Sequence, residues 1–115
     1  MTLRTNIDNP FGSFYDGYIY CSVNDIEAVL GKPNYDRYSS MSKTTIEWYV
    51  EANINDDKHN TIQFTIYNYK DGLNANKRRD KDIYWHIGTD TEEQTDTVIE
   101  ILNQLGLKAY KRKLF

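Results

Sequence analysis

Three short segments between residues 43 and 88 alternate strictly between apolar and polar side chains. They are residues 45–50, 62–67 and 83–87, with the sequences TIEWYV, IQFTIY and IYWHI. A period of two over such a length, rich in β-branched and aromatic residues, is typical of a strand with one buried face. The polar stretch at residues 53–60 separates the first two segments and predicts an antiparallel hairpin. We therefore expect the chain to be organised around a three-stranded meander.

The alternation divides the meander into two faces of different chemistry. The apolar face is predicted to be the core and carries Ile46, Trp48, Val50, Ile62, Phe64, Ile66, Ile83, Trp85 and Ile87. The other face, here called the tyrosine face, carries Thr45, Glu47, Tyr49, Gln63, Thr65, Tyr67, Tyr69, Tyr84 and His86. Tyrosine makes up 10 of the 115 residues. An AT-rich genome would explain that abundance, but it would not explain the clustering on one face.

A first helix is predicted directly after a short strand at residues 17–21. Ser22 can cap the free amides of the helix, and Asp25 occupies the third helical position of a capping box. Gly31 is predicted to end the helix, because glycine tolerates the left-handed conformation there. The apolar residues between these two ends recur at helical spacing and form one stripe.

A second helix is predicted after the meander. Thr89 and Asp90 are expected to open it, with Asp90 and Glu93 spaced as a capping pair, and Gly106 is expected to end it. This helix also has a single apolar stripe. Its acidic outer face is adequately explained as a solvated surface near the positive end of the helix.

The order strand, helix, three strands, helix predicts an α+β fold in two layers. We expect an antiparallel sheet of three to five strands with both helices on the apolar face. The length of 115 residues fits one domain. Residues 1–16 are predicted to be an N-terminal arm, residues 17–106 the domain, and residues 107–115 a basic tail or an edge strand. The tyrosine face is then left open to water, to a partner or to a second copy.

Composition excludes several classes of function. The net charge of −3 argues against binding to duplex nucleic acid. The single cysteine, Cys21, excludes an intramolecular disulfide and fits a reducing, cytoplasmic location. The histidines and the cysteine lack ligand spacing, so we expect neither a metal site nor a cofactor. The chain has neither an apolar N-terminal run nor a segment long enough to span a membrane, so we predict no signal peptide and no membrane partner.

The tyrosine face predicts a binding site. Exposed aromatic side chains on a sheet stack on nucleic-acid bases, and cations at one end of the same strands can hold phosphates. The predicted ligand-binding residues are Lys43, Glu47, Tyr49, Tyr67, Tyr69, Lys70, Arg78, Arg79, Tyr84 and His86. Tyrosine and arginine are also typical anchors of protein interfaces, so a protein partner fits the same face. For the basic run at residues 77–81, a solvated loop is the simpler interpretation.

His86 is the only candidate for a titrating catalyst. Its parity places it on the tyrosine face, beside Glu47, Tyr67 and Tyr84 if the strands pair in simple order. A histidine with a carboxylate as its orienting partner can act as a base. We favour a hydrogen-bonded surface histidine over this catalytic interpretation. Cys21 is expected to be packed on the apolar side and unreactive.

Four blocks of the sequence form a recognisable pattern, namely residues 26–33 (IEAVLGKP), 43–48 (KTTIEW), 65–70 (TIYNYK) and 85–88 (WHIG). This pattern resembles a family of small uncharacterised tailed-phage proteins, and the resemblance covers about residues 17–105. The chain departs from the family pattern at Thr89, where a second glycine is expected, and in its more basic loop after Lys70. The helix and meander are also similar, by fold analogy alone, to half of a β-lactamase-inhibitor-protein-like domain.

The resemblance implies a counter-defence factor in the cytoplasm of an infected bacterium. It would sequester a nucleotide immune signal without cleaving it, with Tyr67, Tyr69 and Tyr84 stacking on bases and Lys70, Arg78 and Arg79 holding phosphate. Two alternatives stay open, an inhibitor that caps a host defence protein such as a CRISPR effector, and a small hydrolase or lyase that uses His86. A homo-oligomer that holds the ligand between copies is compatible with each of them.

Overall fold

The computed structural model of the chain describes residues 1–10, 14–55, 60–70 and 72–111, with the backbone alone at residues 15 and 16. The middle of the predicted hairpin turn, at residues 56–59, and the end of the predicted tail, at residues 112–115, lie outside the described residues. In the part that is described, no helix is both long and apolar enough to cross a membrane.

The described residues form one antiparallel sheet and two helices. The elements are β1 (Thr2–Thr5), β2 (Phe14–Cys21), α1 (Val23–Leu30), β3 (Tyr35–Asp36), β4 (Ile46–Asn53), β5 (Thr61–Tyr67), β6 (Ile83–Thr89), α2 (Glu92–Gln104) and β7 (Ala109–Lys111). The strands follow the order β1-β4-β5-β6-β2-β7, and β3 pairs with β4 beside β1. The predicted α+β class and the antiparallel hairpin of the first two meander strands are therefore confirmed.

The predicted number of strands was wrong, because the sheet has seven strands and not three to five. Two edge strands were missed. The arm contributes β1, which pairs with the far end of β4, and β3 consists of two residues only. Segments this short and polar show no measurable period, and backbone pairing with β4 is what makes them strands. Of the two alternatives for the tail, the structure forms the edge strand, as β7 pairs with β2.

The first helix begins and ends where the sequence predicts. The side chain of Ser22 accepts a hydrogen bond from the amide of Asp25 at 3.2 Å, and the carboxylate of Asp25 accepts one from the amide of Ser22 at 3.0 Å. Gly31 follows the helix with a φ of 82°, a conformation that suits glycine. The capping box and the glycine stop are therefore both confirmed.

The second helix begins later than predicted. Its N-cap is Thr91, whose hydroxyl accepts a hydrogen bond from the amide of Gln94 at 3.1 Å. The proposed capping pair of Asp90 and Glu93 is wrong. The amide of Asp90 instead donates to the side chain of Gln94 at 3.1 Å. Since β6 extends through Thr89, the helix cannot start at that residue.

The core lies between the apolar face and the two helices. Eight of the nine predicted core residues of the meander are buried, and Ile62 is half-buried. Trp48 and Trp85 pack edge to face with ring centroids 5.3 Å apart. The indole N–H of Trp48 donates to the carbonyl of Gly31, and that of Trp85 to the carbonyl of Cys21, each at 2.9 Å. The two indoles thus attach both ends of α1 to the sheet.

Replacing Trp85 by phenylalanine is expected to destabilise the fold by about 1–3 kcal/mol, because the buried carbonyl of Cys21 loses its donor. Urea unfolding monitored by far-UV circular dichroism measures this change. Tyr38→Phe is the matched control, since Tyr38 is 45% exposed. A change below about 0.5 kcal/mol for Trp85→Phe would show that the indole hydrogen bond contributes little.

Candidate functional site on the tyrosine face

Strand pairing aligns one row of side chains across the helix-free side of the sheet. Tyr67 of β5 lies opposite Glu47 of β4 on one side and opposite His86 of β6 on the other. His86 in turn lies opposite Tyr18 of β2, and Tyr18 lies opposite Tyr110 of β7. Directly opposite residues in an antiparallel pair point to the same face. The stretch of the row from Glu47 to Tyr110 therefore draws on five strands, and four of its five residues carry rings.

A second row of side chains runs parallel to the first and is displaced from it by two residues in each strand. Tyr84 of β6 lies opposite Tyr20 of β2, and Tyr69, just after β5, continues the alternation of Tyr67. The separation between the rows is about 7 Å, since each residue of a strand advances about 3.3 Å. We call the ring-bearing residues of both rows the aromatic cluster, which consists of Tyr18, Tyr20, Tyr67, Tyr69, Tyr84, His86 and Tyr110.

His86 is the central ring of the aromatic cluster. Its ring centroid lies 5.2 Å from that of Tyr18, 5.5 Å from that of Tyr67 and 6.3 Å from that of Tyr69. The Tyr67 ring is nearly parallel to it, with an interplanar angle of 25°. His86 is only 7% exposed, on a face that neither helix covers. Our interpretation of His86 as a surface histidine was therefore wrong, because neighbouring phenol rings enclose it.

A recess opens in the aromatic cluster. It has a volume of about 310 Å³ and is lined by Tyr18, Tyr84, His86 and Tyr110. Tyr84 is 48% exposed and Tyr110 is 40% exposed, so both rings are accessible from solvent. The volume is at the lower end of the range of ~300–1,000 Å³ that small-molecule sites occupy. The recess can hold one small planar group.

Two residues of the recess were missing from the predicted site. Tyr18 could have been found, because Tyr18 and Tyr20 share the same side of β2 in simple alternation. Tyr110 had no comparable signal, since β7 is three residues long and follows a loop. The recess thus combines residues from the beginning, the middle and the end of the chain.

The hydroxyl of Tyr110 is a neutral group of the recess. Burial raises its pKa above the ordinary value of 10.0, and so do the neighbouring hydroxyls of Tyr84, Tyr18 and Tyr20. Tyr84 is also its hydrogen-bond partner. The phenol therefore keeps its proton at physiological pH and adds no charge to the recess.

Two of the predicted cations lie at the Tyr69 end of the aromatic cluster. The ammonium nitrogen of Lys70 is 5.3 Å from the centroid of the Tyr69 ring. The amide of Lys70 donates to the carbonyl of Lys43 at 2.8 Å, which places the two residues side by side. Both lysines are exposed, and Arg78 is exposed in the loop that precedes β6. The ammonium of Lys70 is thus close enough to the Tyr69 ring to act with it, and the backbone of Lys43 lies beside Lys70.

Arg79 is not brought to this site. Its guanidinium forms ion pairs with Glu27 of α1 and with Asp36 of β3, the latter at 2.9 Å. Asp36 lies opposite Ile46, so it belongs to the side of the sheet that carries the helices. Two carboxylates compensate the charge of Arg79, which therefore serves to attach the loop before β6 to α1 and β3.

Glu47 and His86 do not form a dyad. Tyr67 stands between them in the row, so two strand spacings, or about 10 Å, separate their backbones. The carboxylate of Glu47 instead accepts hydrogen bonds from the hydroxyls of Thr44 at 2.8 Å and Tyr49 at 3.3 Å. The expectation that Glu47 would lie beside His86 was wrong, because the sheet places β5 between β4 and β6.

The thiol of Cys21 is buried on the helix side, as its parity predicted. Burial, together with the nearby charges of Asp25 and Asp82, raises its pKa to about 12. Since the thiolate is the reactive form, this cysteine is packed and poorly nucleophilic. Among the described residues, no group of three or more histidine, cysteine, aspartate or glutamate side chains could hold a metal ion.

Comparisons with family models, with curated proteins and with solved structures give no match for this chain. The resemblance to tailed-phage proteins therefore stays a prediction. The chemistry of the site has to be inferred from its own residues.

Tyr49 provides a test of the site geometry through pH. Burial, the charge of Glu47 and the hydrogen bond to Glu47 together raise its pKa from 10.0 to about 12, with burial as the largest cause. Its stabilising contribution is fully present below about pH 10 and is lost as the pH rises towards about 12. We expect Tyr49→Phe to flatten the fall of stability in this range, measured as thermal midpoints at successive pH values. Parallel curves for the two proteins would contradict the assigned environment of Tyr49.

Proposed function

We propose that the protein binds a nucleotide on the aromatic cluster and holds it without chemical conversion. The observation that carries the proposal is the recess lined by Tyr18, Tyr84, His86 and Tyr110 on the face that both helices leave open. Stacking of a base on an aromatic side chain contributes about 1–3 kcal/mol and tolerates any base, because each base has a π-face. A neutral lining of phenols suits the base, which is itself uncharged.

The phosphate of the nucleotide is assigned to the Tyr69 end of the cluster. Tyr69 connects the two parts of the site, since its ring lies 6.3 Å from the ring of His86 and 5.3 Å from the ammonium of Lys70. Lys43 adds a second exposed cation beside Lys70. A base in the recess and a phosphate near these two lysines together make the ligand a nucleotide rather than an aromatic metabolite without charge.

The arrangement favours sequestration over catalysis. A histidine base needs an orienting partner and access to the reacting atoms. Glu47, the predicted partner, lies beyond Tyr67 in the row, and His86 is 7% exposed beneath phenol rings. The hydrolase or lyase alternative is therefore the weakest of the three proposals.

The biological setting of this proposal comes from the resemblance to small tailed-phage proteins. On that resemblance, the ligand is a nucleotide immune signal, and the protein withholds it in the cytoplasm of the infected bacterium. Assembly of several copies around the ligand is part of the same proposal, because the helix-free face is open.

A protein partner is the second candidate. Tyr20, Tyr84 and Tyr110 are 43%, 48% and 40% exposed on one continuous surface. Tyrosine side chains of this kind often dominate the energetics of interfaces. An inhibitor that caps a host defence protein would use the same residues. The two candidate functions are therefore distinguished by the identity of the bound partner, because the same substitutions would weaken binding in both cases.

Replacing the rim of the recess tests the nucleotide proposal. Tyr84→Ala and Tyr110→Ala are each expected to weaken nucleotide binding by about 1–3 kcal/mol, or roughly 5- to 150-fold in Kd, because each removes a stacking surface. Isothermal titration with a panel of nucleotides measures the affinity, and chromatography after heating shows whether the ligand is recovered intact. Tyr38→Ala is the control, since Tyr38 is equally exposed and has Lys77 over its ring at 4.7 Å.

Three results would speak against this proposal. Unchanged affinity in both rim variants would remove the recess from the site. A chemically altered nucleotide after incubation would support the enzyme alternative. Absence of binding to the whole panel, together with capture of a host protein that Tyr84→Ala abolishes, would support the interface alternative.

Lys70 and Arg79 are predicted to behave differently although both are cations in the connection between β5 and β6. Lys70→Ala should weaken nucleotide binding and reduce its dependence on salt, because one phosphate contact is lost. Arg79→Ala should lower the thermal midpoint and leave the affinity unchanged, since its charge is used by Glu27 and Asp36. Titrations at two salt concentrations and thermal unfolding of both variants check the contrast, which an affinity loss in Arg79→Ala would contradict.

A further inference from the structure

We infer that the aromatic cluster is built for a ligand with two bases, a dinucleotide, rather than for a mononucleotide. This inference rests on the proposed nucleotide binding. It follows from the size of the cluster, from its division into two parts and from the position of its cations.

The aromatic cluster is larger than one base requires. Its first row extends over four adjacent strands, from Tyr67 through His86 and Tyr18 to Tyr110. Three strand spacings correspond to about 14 Å, and the second row lies about 7 Å away. Sheet surfaces that carry two or three stacking rings bind two or three bases of single-stranded RNA. A platform of seven rings therefore offers room for more than one base.

The cluster divides into two parts on either side of His86. On one side, Tyr18, Tyr84 and Tyr110 form the recess with His86. On the other side, Tyr67 and Tyr69 each contact the His86 ring, and both are half-buried, so part of each ring reaches the surface. His86 itself is almost fully covered and serves as the common floor. Each part can present rings to one base.

Among the described residues, the cations beside the cluster lie in its second part. The described residues that line the recess include neither lysine nor arginine. Lys70 lies over the ring of Tyr69, and Lys43 is next to Lys70. A mononucleotide that placed its base in the recess would leave the second part without a base. A dinucleotide covers both parts, with one base in the recess, the other beside Tyr69, and a phosphate of the second nucleoside near Lys70.

The test is isothermal titration of the full chain with AMP and with the linear dinucleotide pApA. Mono- and dinucleotides of the other three bases are titrated in the same way. We expect an affinity for pApA at least about tenfold higher than that for AMP, because a second base stacks. Tyr69→Ala should lower the affinity for pApA by at least about tenfold and that for AMP by a clearly smaller factor, because only pApA places a base on this ring. Tyr110→Ala should weaken both ligands, and Tyr38→Ala should weaken neither.

Tyr69→Leu is a second variant for the case that Tyr69→Ala does not fold. It removes the aromatic ring but keeps an apolar side chain at a position just outside β5. Thermal unfolding confirms that each variant is folded before titration. Equal affinity of AMP and pApA, or equal losses for both ligands in the Tyr69 variants, would overturn the inference and leave nucleotide binding in place. Failure of every mono- and dinucleotide to bind would overturn the proposed function and this inference together.

Discussion

The packing of Trp48 against Trp85 determines which side of the sheet is available for function. The two indoles meet edge to face, and their N–H groups bind the carbonyls of Cys21 and Gly31, the residues that bracket α1. Because the indole N–H groups of Trp48 in β4 and Trp85 in β6 bind carbonyls at the two ends of α1, this helix is attached to both strands. With α2 packed on the same face, the opposite face keeps its tyrosines uncovered.

The site itself is a product of strand order. β2 lies between β6 and β7, so Tyr18 stands next to His86 on one side and next to Tyr110 on the other. These residues are far apart in the chain, and no local element could bring them together. A shift of one residue in either pairing would turn the rings into the helix layer, so the buried isoleucines of the same strands hold the site in register.

Electrostatic partners decide which cations can serve a ligand. Lys70 and Arg79 lie nine residues apart in the sequence and look alike in a count of charges. Lys70 extends along the ring of Tyr69 and is exposed, whereas Arg79 is held by two carboxylates on the helix side. The carboxylate of Glu27 is 52 residues away in the chain, which is why the sequence placed Arg79 at the wrong side of the sheet.

The sequence by itself determined the sidedness of the meander, since alternation with a period of two is local. It assigned Trp48 and Trp85 to the core, Tyr67, Tyr84 and His86 to the other face, and Ser22 to the start of a helix, and each of these is what the structure shows. Only the tertiary structure determined which side chains lie next to each other across the sheet. Alternation says which face a side chain occupies but not which strand lies beside it. Hence the pairing of Tyr18 and Tyr110 around His86, and the separation of His86 from Glu47, depended on hydrogen bonds between distant segments.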